Sequence, residues 1–151
     1  MRQLQENSLF HGIDGQTYLV YTDGASKGNP GRSSIGVVIT DDQGITLAEI
    51  GEDIGIATNN EAEYRALLRG LKEALNLQLT HVVWITDSEL LALQWVGRYR
   101  VKAENLQPLY HEAKRLSQSF ESFTVKHTLR DGNKRADALA NQALKPKRPL
   151  Y

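Results

Sequence analysis

The 151-residue chain contains no cysteine, which excludes disulfide staples, thiolate nucleophiles and cysteine-held zinc or iron–sulfur sites. Long apolar runs are missing too. No stretch of aliphatic and aromatic residues exceeds four, as at Val82–Ile85, whereas a membrane span needs roughly 20. Residues 1–7 hold no apolar segment that would serve as a secretory signal. There is no low-complexity tract, repeat or internal linker. These absences set the expectation of a cytoplasmic protein with no membrane partner, and no protein partner or oligomer is signalled, so a monomer is the default. The length suits one domain with one buried core.

Net charge is absent as well, since 18 Lys and Arg balance 18 Asp and Glu. The balance conceals a split. Residues 1–63 hold 3 basic and 10 acidic side chains, while residues 64–151 hold 15 and 8. Opposed halves of this kind point either to local charge chemistry or to uneven use of solvated charge.

Residues 1–16 read as a flexible leader, 17–144 as the domain and 145–151 as a basic tail. Thr17–Thr22 is β-branched and aromatic and reads as a strand with Asp23 at its carboxyl end. Gly24 to Gly31 carries three glycines and a proline, which predicts a loop without regular structure. Ser34–Thr40 and Ile45–Ile54 read as strands joined by a hairpin at Asp41–Gly44. Helical periodicity runs from Asn59 to Leu79. The short apolar run in His81–Thr86 predicts a strand buried on both faces. Helices are expected from Asp87–Ser88 to Val96, over Ala103–Ser119 and over Asn133–Leu144, with a strand at Phe123–His127. The order βββαβααβα implies a mixed sheet with helices on its faces, an α/β fold.

Four acids sit where ordinary readings strain. Asp23 and Asp87 end two strands expected to be neighbours, at the sheet end where open α/β folds bind ligands. Singly, Asp23 also reads as a turn residue and Asp87 as a helix cap. Winding the first helix at about 100° per residue puts Glu63 within about 40° of Leu67, on the stripe shared with Leu71 and Ala74. Glu61 falls on the side of Arg65 and Lys72, where a carboxylate is solvated. An unpaired carboxylate facing the core is costly, so Glu63 requires a cation or another partner. Asp137 lies in the first turn of the last helix, after Asn133 as its expected cap, on the face of Ala140 and Leu144. Interaction with the helix dipole is its ordinary reading. Together, four carboxylates at one sheet edge repel each other unless divalent cations intervene. Oxygen donors without His or Cys favour Mg²⁺ or Mn²⁺, and carboxylate-held metal pairs suit in-line displacement at phosphorus.

The segments Tyr21–Gly31 (YTDGASKGNPG), Thr58–Glu63 (TNNEAE), Thr86–Ser88 (TDS) and Asn133–Ala140 (NKRADALA) resemble the four motifs of type 1 ribonuclease H, in the family's order and with similar spacing. The resemblance covers residues 17 to about 144. It implies the ribonuclease H-like three-layer α/β/α fold with a five-stranded mixed sheet. It also implies endonucleolytic hydrolysis of the RNA strand of an RNA–DNA hybrid, leaving 3′-hydroxyl and 5′-phosphate ends. Asp23, Glu63, Asp87 and Asp137 match the metal-binding quartet, which implies two Mg²⁺ ions per active site, with Mn²⁺ as a substitute. Asn29 and Thr58 match positions that contact substrate phosphate, and Asn59 and Asn60 positions that read the minor groove. Amides suit that groove because they donate and accept at base edges and near 2′-hydroxyls.

Three departures from the longer bacterial pattern stand out. The loop before the last helix is short, and His127 falls in phase with Phe123 and Val125, which reads as structural. Arg130 resembles the arginine of a short-loop, archaeal-like branch, with contact to the scissile phosphate as its implied role and an exposed loop charge as the alternative. Glu89 stands where many relatives have Gln, so a substrate contact there is in doubt. Gly97–Lys102 is too short for the family's basic protrusion, leaving Arg98, Arg100 and Lys102 as a reduced phosphate-binding patch or as solvated charge. The loop at 24–31 is no ATP site, because it lacks the Gly-Lys-Ser/Thr ending. Two rival readings stand beside a ribonuclease H. One is another nuclease or polynucleotidyl transferase of the same fold, disfavoured by the asparagine pair. The other is a non-enzymatic hybrid-binding module, disfavoured by the complete quartet.

Overall fold

The computed structural model describes residues 15–146. Most of the expected leader, and the tail beyond residue 146, lie outside the described residues. Three strands, β1 (Thr17–Ser26), β2 (Gly31–Asp41) and β3 (Thr46–Ala57), form an antiparallel meander. β4 (His81–Thr86) then pairs in parallel with β1, and β5 (Ser122–His127) in parallel with β4. The order across the sheet is β3-β2-β1-β4-β5.

Side chains alternate across a strand, and here both faces are used. Tyr18, Val20, Val37, Ile39, Val82 and Trp84 point one way and form a core with Leu67, Leu71, Ala74, Leu91 and Trp95. Those partners come from α1 (Asn59–Asn76) and α2 (Glu89–Trp95), with Ala113 added from α3 (Gln107–Ser117). The Trp84 indole donates to Thr22 Oγ1 at 2.8 Å and meets Trp95 edge-on at 5.5 Å. The opposite face receives α4 (Lys134–Ala143), preceded by a single 3-10 turn at Arg130–Asn133. α4 rests on β1, β2 and β3. This is the expected three-layer architecture with a five-stranded mixed sheet. Among the described residues, no helix is long and apolar enough to cross a membrane.

The segment read as a glycine loop is mostly strand. β1 continues through Asp23, Gly24 and Ala25 to Ser26, paired with Gly36 back to Ser33. The reversal is confined to residues 27–30. Gly24 is kept inside the strand by a tertiary constraint, since a Cβ there would lie 2.5 Å from the Ala62 carbonyl carbon and the Glu63 nitrogen. Glycine here lets α1 start against the sheet. α3 begins at Gln107 rather than Ala103, with Pro108 in its first turn, where a missing N–H costs nothing. α1 stops at Asn76, three residues short of Leu79, and Gln78 reverses the chain at φ 58°.

Part of the charge split is folded into ion pairs. Arg135 of α4 binds Glu49, Arg69 of α1 binds Glu52 at 3.0 Å, and Arg32 faces Asp53 at 3.6 Å. Such exposed pairs contribute little individually. The close seating of α4 is stronger. Ser34 Oγ donates to the Ala140 carbonyl at 2.5 Å, and a Cβ on Gly36 would overlap the Ala136 carbonyl oxygen. Gly36→Ala is therefore expected to destabilise by about 3 kcal/mol and lower Tm by roughly 10 °C. Thermal unfolding followed by circular dichroism checks this, and an unchanged Tm would contradict the packing.

Candidate active site

Asp23 is 7% exposed, near the carboxyl end of β1. Glu63 enters from the first turns of α1, and its Oε1 accepts the Gly24 backbone N–H. Asp87 follows β4. One oxygen from each of Asp23, Glu63 and Asp87 lies within 4.8 Å of the other two. Asp137, on α4, reaches the group from the opposite layer, close enough to help raise the Asp23 carboxyl. The structure thus brings all four sequence-selected acids together, from both helical layers and two adjacent parallel strands.

Asp87 does not cap α2, because Ser88 does so, its Oγ accepting from Leu91 N at 3.2 Å. Asp23 is no turn residue, since it lies within β1. Glu63 faces inward as its periodicity predicted. Asn133 occupies the N-cap position of α4 but makes no capping bond. Its Nδ2 instead donates to the Thr22 carbonyl at 2.8 Å, deep in the protein. That bond fixes the start of α4, and with it Asp137, against β1.

Crowding dominates the electrostatics. Burial, then the charge of Glu63, then hydrogen bonding to Asp137 push the Asp23 carboxyl up to about 10. Burial also raises Glu63 to about 7, against the lowering effect of the Gly24 N–H and of Asp23. Burial leads in both cases, so the pair as a whole resists ionising in the metal-free protein. Among the described residues, the one ion pair the quartet makes is Arg130 Nη2 to Asp137 Oδ1 at 3.9 Å, and Arg130 is 82% exposed. A single distant guanidinium does not neutralise four acids. The donor set is hard oxygen throughout, and its convergence suits divalent cations of the Mg²⁺ and Mn²⁺ class.

The remaining sequence-selected residues flank this cluster. Asn29 is exposed in the 27–30 reversal, and its Oδ1 accepts the Asn59 backbone N–H at 3.1 Å. Thr58 is the N-cap of α1, its Oγ1 accepting from Glu61 N at 3.1 Å. In both side chains an acceptor is engaged by the helix start, so what remains outward is a donor, the Asn29 Nδ2 and the Thr58 hydroxyl hydrogen. Donors beside an N-terminal turn suit an anion. Asn59 and Asn60 follow on the first turn of α1. Glu89 is exposed in the first turn of α2.

Two readings are corrected. His127 ends β5 in phase as expected and pairs with Thr86, yet it is exposed rather than packed, because the sheet stops there. Glu61 is not a merely solvated acid. It completes a capping box, its Oε1 accepting the Thr58 N–H at 2.8 Å. The spacing Thr58-x-x-Glu61 carried the capping signal.

A family model described as "Reverse transcriptase-like" matches residues 21–143. Ribonuclease HI of Halobacterium salinarum is 40% identical over 124 residues, 82% of this chain and 62% of that protein. The crystal structure of RNase H1 from that archaeon superposes with a TM-score of 0.83 at 38% identity, covering 85% of this chain and 97% of that one. Ribonuclease H of Cupriavidus pinatubonensis is 32% identical across 85% of this chain and 96% of its own length. LC11-RNase H1, solved in complex with an RNA/DNA hybrid, has a TM-score of 0.80 at 39% identity, over 84% of this chain and 96% of that one. The chain spans 35% to 62% of the length of the first curated relatives it matches.

A raised carboxyl pKa means the folded state holds a proton that the unfolded state releases, so stability falls as pH rises. The window opens above ordinary carboxyl values and extends through about 7 for Glu63 toward about 10 for Asp23. The Tm of the metal-free protein is expected to fall between pH 5 and pH 9, with Mg²⁺ raising it more at pH 8 than at pH 5. Scanning calorimetry in EDTA and in Mg²⁺ checks both. A Tm that rises with pH in EDTA would contradict the assignment.

Proposed function

The chain belongs to the ribonuclease H family, and from that premise we propose that it hydrolyses the RNA strand of RNA–DNA hybrids endonucleolytically, giving 3′-hydroxyl and 5′-phosphate ends. The observation that carries the proposal is the convergence of Asp23, Glu63, Asp87 and Asp137 into one under-neutralised cluster. In this reading the four carboxylates hold two Mg²⁺ ions, with Mn²⁺ able to substitute. Bound there, the ions would supply Lewis acidity that activates water and stabilises the leaving 3′ oxygen.

The protein's own groups set the geometry. β1 and β4 fix Asp23 and Asp87 on adjacent strands, Gly24 and its N–H orient Glu63, and Asn133 anchors the turn before Asp137. Asn29 and Thr58 offer donors to a phosphate of the hybrid. Asn59 and Asn60 offer amides to the minor groove, where 2′-hydroxyls distinguish RNA from DNA. Arg130, exposed and within reach of Asp137, is assigned to the scissile phosphate, with which a guanidinium forms charge-assisted hydrogen bonds. The solved hybrid complex of LC11-RNase H1 supports the choice of substrate by similarity.

Incubation with labelled RNA–DNA hybrid, double-stranded RNA and double-stranded DNA, each with Mg²⁺, Mn²⁺ or EDTA, tests the reading. Metal-dependent cutting confined to the RNA of the hybrid is expected. Asp87→Asn is expected to lower kcat by at least about a hundredfold, and Arg130→Ala by roughly tenfold, with the fold retained in both. Hybrid binding without cleavage would favour the non-enzymatic alternative, and full activity of Asp87→Asn would overturn the metal assignment.

A further inference from the structure

Between α2 and α3 lies a cleft of about 350 Å³ that the acidic cluster does not use. Gly97, at φ 82°, turns the connecting segment out of α2. Tyr99, Arg100 and Val101 of that segment wall the cleft together with Tyr110 and His111 of α3, and Gln94 of α2 completes it.

Gln94 is 5% exposed. Its Oε1 accepts the Tyr64 hydroxyl at 2.5 Å. Burial holds the Tyr64 phenol above its usual range, so it stays a donor. The Nε2 group of Gln94 makes no hydrogen bond among the described residues and is not sealed off, so its donors open to the cleft. The walls around it are set in advance. Val101 packs on the core, Leu106 is buried, and Gln107 Nε2 donates to the Val101 and Lys102 carbonyls at 3.2 and 3.4 Å. Tyr110 meets Tyr64 and Trp95 edge-on. Tyr99 remains 55% exposed. A preformed cleft spares its occupant the cost of ordering the protein.

The lining narrows the occupant. No Asp or Glu takes part, so a hard cation finds no ligands there. A bare phosphate would give up its hydration against Val101 and two phenol rings in return for one amide. A nucleotide suits every part. Its base stacks on tyrosine and guanidinium planes, the base edge offers acceptors to an amide donor, and its phosphate meets the exposed Arg100 and His111. We infer that this cleft is a binding site for one unpaired nucleotide of a nucleic-acid strand, with the base against Tyr99 and Tyr110 and its edge read by Gln94 Nε2. The inference rests on the proposed hybrid substrate and extends it to hybrids that carry a single-stranded end.

The test measures Kd in EDTA for three fluorescein-labelled RNA–DNA hybrids that share one paired sequence. One is blunt, one carries a short single-stranded DNA extension at each end, and one carries the same extensions made abasic. The base-bearing extensions are expected to lower Kd about tenfold relative to the blunt hybrid, and the abasic ones by no more than about twofold. Tyr99→Ala and Gln94→Leu should each abolish the gain and leave blunt binding within about twofold of the parent. Tyr99 is exposed, so its variant decides the matter even if circular dichroism shows that Gln94→Leu has lost the fold. Abasic extensions that bind as tightly as base-bearing ones would assign the gain to phosphate charge and overturn the inference. A gain that survives in Tyr99→Ala, or in a folded Gln94→Leu, would place the base elsewhere and overturn it too. Equal Kd for all three hybrids would do the same while leaving hybrid cleavage intact. Tighter binding of the extended hybrid without any cleavage would contradict the proposed function alone, and absence of hybrid binding would overturn both.

Discussion

The mutual repulsion of four carboxylates, held together where strands and helices from both layers meet, is the constraint on which the rest of the structure depends. No folded protein keeps such a group without something to oppose the charge. Here the raised carboxyls of Asp23 and Glu63 and one distant guanidinium give partial relief. Divalent cations would give the rest. The acids are therefore held at an energetic cost in the metal-free protein, which a bound cation would relieve.

The scaffold is arranged to keep that group from relaxing apart. Gly24 admits α1 to within reach of β1, and its N–H then fixes the carboxylate that α1 brings. Gly36 admits α4 to the opposite face, and Asn133 bonds its start to Thr22. Thr22 in turn holds the Trp84 indole on the core side. One strand position thus ties the aromatic core to the helix that carries Asp137. Substitutions at these supports would act on the site through its geometry, without touching any reacting atom.

Much of this was legible in the sequence, for identifiable reasons. The stripe of Leu67, Leu71 and Ala74 marked Glu63 as inward-facing, because helical periodicity is a local property. The strand-end acids Asp23 and Asp87 were marked by hydrophobic runs that stop at them. What the sequence concealed were long-range partners. Gly24 read as loop because glycine usually breaks strands, and only the approach of Ala62 explains why a strand needs it. Glu61 read as solvated from its helix face alone, although the Thr58-x-x-Glu61 spacing carried the capping-box signal. His127 kept its phase but not its burial, since phase cannot report where a sheet ends.

The neutral net charge also changes meaning. Several acids of the first half are paired across β3 with arginines, and two more, Asp23 and Glu63, join Asp87 and Asp137 in the cluster, so the exposed Arg98, Arg100 and Lys102 would be available to the proposed polyanionic substrate. The most direct measurement is a calorimetric titration of Mn²⁺ into the metal-free protein at pH 7, repeated in buffers of different ionisation heat to count the protons released. With Asp23 protonated and Glu63 near half-protonated in the free protein, metal binding should release roughly one to two protons. Binding that releases none, or no binding, would contradict the view of the quartet as a charge-frustrated cation site.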